Sequence, residues 1–255
     1  MTTSAEDQGS ATVAQINVTP VKGLALGNPE SVELTPSGAR DDRRFFLVSA
    51  DGRLVNGKRI GGDLNLARAD WDAAGGVLSV TLPGGEIVRD VVRLGRPTTT
   101  DIYERLVSGH EVDGPFGDAL SELAGMHVTL IERDAQAWAT DSRPATLVSQ
   151  ASLDEFGGDG RRFRMLLELE GLEAYAEDAW SGSRLRIGEV TLLVGTPTPR
   201  CALPSYNPVD ASRDRDMLRD ILAQRGPIDG DPCLGVFAEV DEPGVVRVGD
   251  RVSPI

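Results

Sequence analysis

A chain of 255 residues with 40% hydrophobic content can close one large core or two small ones. Its 26 basic and 40 acidic residues leave a net charge of −14, which disfavours nucleic acid and anionic lipid as partners. Two cysteines, Cys201 and Cys233, with no CxxC spacing exclude a disulfide scaffold. Residues 1–11 are polar and acidic, without the apolar segment of a signal peptide, and read as a disordered tail. No apolar run approaches the roughly 18 residues of a membrane span, so a cytoplasmic location is expected.

Residues 12–96 read as a small β module. Short apolar or alternating runs begin at Val13, Arg43, Val77 and Glu86, and Asp51-Gly52, Gly75-Gly76 and Gly84-Gly85 mark the turns between them. Residues 97–110 read as a linker, centred on Pro97 to Asp101. Residues 111–255 then read as a second, larger β-rich unit. It contains a short helix from Phe116 to Ala124 stopped by Gly125, and another from Ser149 to Phe156. A third helix is expected near Arg213 to Arg225, where Met217, Leu218, Ile221 and Leu222 form one stripe before Gly226-Pro227. Strands are expected from His127, Phe163, Arg184, Cys233 and Gly244. The fold class is mostly β, a barrel with a few short helices preceded by a smaller barrel-like module.

Dinucleotide, P-loop, zincin and nucleophile-elbow motifs are all missing. His110 and His127 alone give a histidine metal site or a Ser-His triad little to work with, and His127 reads as structural. Asp41-Asp42 and Glu177-Asp178 fit a turn and a solvated loop better than an acid/base pair. The segment from Thr196 to Pro208, TPTPRCALPSYNP, is different. Its prolines stiffen a loop that presents Arg200 and then Cys201. A neighbouring guanidinium favours thiolate, the form that attacks carbon or ligates a soft metal; a small buried hydrophobe is the alternative.

Eight segments in order carry a resemblance: TPVKG at Thr19, DDRRFFLVSADGR at Asp41, DSRP at Asp141, RRFR at Arg161, YAEDAW at Tyr175, LRIGEVTL at Leu185, TPRC at Thr198 and VRVGD at Val246. Together they resemble the MOSC family, molybdenum cofactor sulfurase C-terminal domains, in the form with an N-terminal β-barrel module. The animal amidoxime-reducing components and actinobacterial proteins of this type look most similar.

The resemblance implies a molybdenum cofactor (molybdopterin) held between the two modules, with Cys201 as catalytic residue and metal ligand. Lys22, Gly23, Arg44, Ser142, Arg143, Arg164 and Arg200 match the cofactor-binding positions, with Arg43 as the register alternative to Arg44. Five cations from an acidic chain suit a phosphate and an anionic metal centre. Glu177 and Asp178 gain a site-adjacent reading, Trp180 that of a packing anchor, and Cys233 a structural one. The chain departs from the family at Met165 and Leu166, which stand where proline and asparagine are usual. It departs again at Pro199, where serine is usual, and at Thr198, which matches an additional cysteine of the animal enzymes. The implied activity is reduction of N-hydroxylated compounds, with electrons from a separate ferredoxin, flavoprotein or haem protein. Two alternatives are a persulfide or cofactor carrier using Cys201, and a cofactor-free small-molecule binding module. Pyridoxal phosphate binding is associated with the family only at the family level.

Overall fold

The computed structural model describes residues 11–255. The expected tail lies outside them except for Ala11, which is buried. In chain order come β1 (Thr12–Ile16), β2 (Ser31–Thr35), β3 (Gly38–Ala39), β4 (Phe45–Ser49), β5 (Leu54–Val55), α1 (Gly57–Ile60), β6 (Arg68–Asp72), β7 (Val77–Thr81) and β8 (Ile87–Val91). Next are β9 (Arg93–Ile102), β10 (Arg105–Asp113), α2 (Phe116–Ala124), β11 (Val128–Arg133), β12 (Ala145–Ser149), α3 (Gln150–Asp154) and β13 (Leu167–Glu170). β14 (Arg184–Ile187), β15 (Val190–Pro199), α4 (Met217–Arg225), β16 (Cys233–Glu242), β17 (Gly244–Arg247) and β18 (Val252–Pro254) complete the chain. The fold is mostly strand, as expected.

The main sheet runs β1-β13-β12-β16-β15-β14-β18, and β17-β2-β3 lies beside it as a separate small sheet. Its core draws Val13, Ile16, Leu34 and Ala39 from the start of the chain together with Leu147, Leu167, Leu192, Val236 and Val246. The first three strands therefore pack with the C-terminal half, and the chain returns to this barrel after building the other unit. That unit has the sheet β5-β4-β11-β10-β9 and the meander β6-β7-β8. Phe45, Leu47, Leu78, Phe116, Leu120 and Leu130 form its core.

Sequence signals placed most turns correctly. Gly52, with φ 73, closes the β4–β5 hairpin, where Ser49 N–H donates to the Arg53 carbonyl at 2.9 Å. Ser149 caps α3 by accepting from Ser152 N–H at 3.1 Å. Residues 97–110 are corrected: they are no linker but most of the β9–β10 hairpin. Pro97 sits opposite His110 on β9, an edge strand paired only with β10. Its missing N–H faces no neighbour there, so the proline that looks like a break is tolerated within a strand.

Candidate functional site

Four chain segments meet where the two units face each other. The turn before β4 interlocks with residues 19–22: Arg43 N–H donates to the Thr19 carbonyl at 2.7 Å, and Thr19 N–H to Asp42 Oδ1 at 2.8 Å. Phe45 and Lys22 then exchange backbone bonds with Pro20 and Phe45 at 2.8 Å each, which fixes Lys22 beside β4. The loop Asp141–Pro144 enters β12 past Gly38, whose φ of 105 and absent side chain admit the Pro144 carbonyl; a Cβ there would lie 2.8 Å from it. A short 3-10 turn, Gly160–Arg162, capped by Asp159, delivers Arg164 in the left-handed region at φ 56. Last, the irregular end of β15 carries Thr198, Arg200 and Cys201, and Arg200 N–H is fixed to the Pro232 carbonyl at 2.8 Å.

These segments line a cavity of about 190 Å³. Lys22, Gly23, Ser142, Arg143, Arg164, Arg200 and Cys201 all line it, so seven sequence-chosen residues spread over the chain converge. Arg43 lines it too, and Arg44 does not. Arg43 ends the turn before β4 with a left-handed φ of 48, and this bend in the chain separates its side chain from that of Arg44. Arg44 accordingly lies over the Trp71 ring at 4.7 Å and pairs with Asp41 at 2.8 Å and with Glu132. The structure thus does not bring Arg44 to the cavity; its register alternative, Arg43, lines it. Glu177 and Asp178 do not line the cavity either. Glu177 is fully buried under α3 and accepts the Ser152 hydroxyl at 2.9 Å, while Asp178 pairs with Arg225 of α4. Both fasten helices to the barrel. Trp180 packs on the barrel core, and Cys233 is buried in β16.

The electrostatics are unusual for an acidic protein. Lys22 Nζ is buried and donates to the Ala139 carbonyl at 2.7 Å and to Asp141. Burial pushes its ammonium below the ordinary lysine value, and Arg43 and Arg164 push the same way against Asp141. Arg43 pairs with the buried Asp42. Arg164 donates only to neutral oxygens, Asn65 Oδ1 at 2.8 Å and the Leu24 carbonyl at 2.7 Å. Arg200 donates to the Phe163 carbonyl and to Met165 Sδ at 3.2 Å, and its guanidinium lies 5.6 Å from the Phe163 ring centre. Among the described residues neither guanidinium has an ion-pair partner; Asp141 acts on both only at longer range. Burial therefore lowers Arg200, with Cys201 pulling it back up, and lowers Arg164 to about 9. A half-buried cation without an ion-pair partner has lost part of its hydration, a cost that an anionic ligand would offset.

Three polar atoms of the lining are also buried without a partner: Thr140 Oγ1, Thr198 Oγ1 and Arg200 Nε. Cys201 is partly exposed, not sealed in apolar packing. No three His, Cys, Asp or Glu side chains gather as a metal site among the described residues, so Cys201 would be a lone protein ligand. Met165 and Leu166 fill the wall as buried apolar groups, and Leu166 offers only its backbone, N–H to Thr146 Oγ1 at 2.8 Å. The donor set thus fits an anionic group that brings its own further metal ligands. Sequence reasoning missed Thr140 and the apolar wall of Phe163, Leu203, Pro204 and Phe237, read Thr198 only as a departure from the family and Asp42 only as a turn residue.

Residues 10–130 match the MOSC N-terminal beta barrel domain and residues 134–253 the MOSC domain. Human mitochondrial amidoxime-reducing component 1 is 24% identical over 288 residues, covering 96% of this chain and 83% of that protein. Rat mitochondrial amidoxime reducing component 2 is 23% identical over 289 residues, covering 96% and 83%. A crystal structure of the YUAD protein of Bacillus subtilis aligns over 95% of this chain and 94% of its own at 11% identity, with a TM-score of 0.43. No helix is long and apolar enough to cross a membrane among the described residues. With both domain matches in tandem along nearly all its length, the chain belongs to the MOSC family, in the form that carries the N-terminal β barrel.

Proposed function

We propose that the cavity between the two units holds a molybdenum cofactor and that the protein reduces N-hydroxylated compounds, the chemistry named for its amidoxime-reducing relatives. One observation carries this reading: Arg164 and Arg200 are half-buried at one cavity and hydrogen-bond only to neutral partners, and Lys22 and Arg43 stand beside them. Such a set is costly in the free protein and suits a ligand with a phosphate and an anionic metal centre.

Each residue then has a defined task. Arg164 and Arg200 neutralise and orient the anionic ligand, and their existing bonds to Asn65, Leu24 and Phe163 hold them in place beforehand. Lys22, buried and tied to Asp141, adds positive charge at a fixed point. Cys201 offers one sulfur to the metal from the stiff end of β15. When bound, the cofactor supplies the two-electron exchange that these side chains lack. Reduction of an N–OH group to N–H with release of water takes two electrons and two protons. The electrons come from a separate ferredoxin, flavoprotein or haem protein, and Asp141, half exposed beside Lys22, links the cavity to solvent protons.

Protein made in a molybdenum-replete host tests this. Expected are about one molybdenum and one pterin per chain, loss of metal in Cys201→Ser, and reduction of benzamidoxime with an artificial electron donor. Equal metal in both proteins would overturn the ligand role of Cys201. The partly open Cys201 also supports a second reading, a sulfur carrier, for which the expected result is a persulfide on Cys201 and no molybdenum.

A further inference from the structure

Thr198 is only 5% exposed, lines the cavity, and its Oγ1 has no hydrogen-bond partner. A buried hydroxyl in that condition has lost its water without compensation, and threonine here gains nothing over valine of the same shape. Two residues on, Arg200 lines the same cavity, and its Nε is buried and unpaired too. β15 ends at Pro199, so Arg200 follows directly after the strand, and Thr198, Pro199 and Arg200 all line the cavity. Here β15 slips register against β16, with Pro197 opposite Val236 and Pro199 opposite Cys233. Such a bulge re-aims side chains out of the regular ladder. Nε is a donor only, so whatever completes it must be an acceptor; the hydroxyl can donate to the same group. Nη1 and Nη2 each already donate one bond, to Met165 Sδ and to the Phe163 carbonyl, whereas Nε donates none.

We propose that Thr198 Oγ1 and Arg200 Nε form a donor pair for a phosphate-type oxyanion, making Thr198 a binding residue of this cavity. The assignment rests on the cofactor reading above, to which it adds a named hydrogen-bond donor. It also holds for free inorganic phosphate in the absence of a pterin.

The test uses full-length protein from a host unable to make the cofactor, titrated with inorganic phosphate and followed by calorimetry and thermal unfolding. Three proteins are compared: wild type, Thr198→Val and Thr198→Ser. Thr198→Val should unfold at a higher temperature than wild type without phosphate, because it removes an unsatisfied hydroxyl. It should also bind phosphate about tenfold more weakly or worse, while Thr198→Ser keeps wild-type affinity. A Thr198→Val protein that matches wild type in affinity, or unfolds earlier in phosphate-free buffer, overturns the pair, as does wild type that binds no phosphate. Wild type that binds phosphate yet retains no molybdenum in a replete host overturns the cofactor reading and leaves the pair standing.

Discussion

Arg164 reaches across from the C-terminal barrel to donate to Asn65 Oδ1 at 2.8 Å, so a half-buried cation is held between the two units by a neutral amide. Its folded value of about 9 lies below the ordinary arginine value, with burial as the main cause and Arg43 as the next. Between those values the unfolded chain binds more protons than the native one, so stability rises with pH. Lys22, lowered from 10.5, adds an effect of the same sign. Urea unfolding of cofactor-free protein should show higher stability near pH 10 than near pH 9, a rise that Arg164→Gln flattens. A wild-type curve that falls across this window, with the variant running parallel, would contradict the uncompensated charge.

Arg43 and Arg44 are adjacent in sequence and opposite in consequence. Arg43→Gln removes a cation from the cavity lining and leaves the buried Asp42 without its ion-pair partner, so it should lower molybdenum retention severalfold and also cost about 3 kcal/mol of stability. Arg44→Gln removes a stack on Trp71 and pairs with Asp41 and Glu132; it should cost about 1 kcal/mol of stability and leave metal content intact. Elemental analysis and urea midpoints of the two proteins separate the registers, and the reverse pattern would restore Arg44 to the site.

How far the sequence reaches is visible in these residues. Turn glycines and helix stops act through local backbone physics, so Gly52, Gly125 and the Ser149 cap could be read directly. Pro97 misled because tolerance for proline depends on whether a strand is an edge, a property of the whole sheet. The pairing of β1 with β13 depends on contacts across the length of the chain and leaves no local mark. Within the site, family positions supplied the cations, but one residue of register separated Arg43 from Arg44. Thr198 was noticed only as a lost cysteine, because an unpaired hydroxyl is a three-dimensional fact.

Glu177 gives a stability prediction free of the site. Burial raises its carboxyl above the ordinary 4.5, and Oε2 has no partner while Ser152 serves Oε1. The native state therefore binds the extra proton in the interval above 4.5, and stability falls as pH rises through the folded value. Glu177→Gln keeps the bond from Ser152 and removes the charge. It should gain about 1 kcal/mol at pH 7, lose that pH dependence, and retain molybdenum. Loss of metal in this variant would return Glu177 to a place beside the cofactor.

The cysteines differ by environment. Cys201 is partly exposed at the cavity, whereas Cys233 is buried, and desolvation with Asp231 nearby holds its thiol above the ordinary value. A maleimide should label native cofactor-free protein once, at Cys201, and reach Cys233 only in denaturant. Phosphate should slow the first reaction if it occupies the Arg200 side of the cavity. Mass spectrometry of the labelled peptides decides the order, and early labelling of Cys233 would contradict the burial.

Leu203, just past the cysteine, rests on Gly57 of the other unit, and a Cβ on Gly57 would lie 2.2 Å from Leu203 Cδ1. Both residues line the cavity, so this contact sets its width as well as the fit between units. Gly57→Ala should push Leu203 aside and weaken phosphate binding, although alanine suits α1 better than glycine. Leu203→Ala alone opens a void and should cost about 2 kcal/mol, and in combination with Gly57→Ala the new methyl fills part of that space. The double variant should therefore be more stable than the sum of the singles predicts, by about 1 kcal/mol. Strict additivity in urea unfolding would mean that the two side chains do not share the space, and the cavity wall would then need another source of its shape.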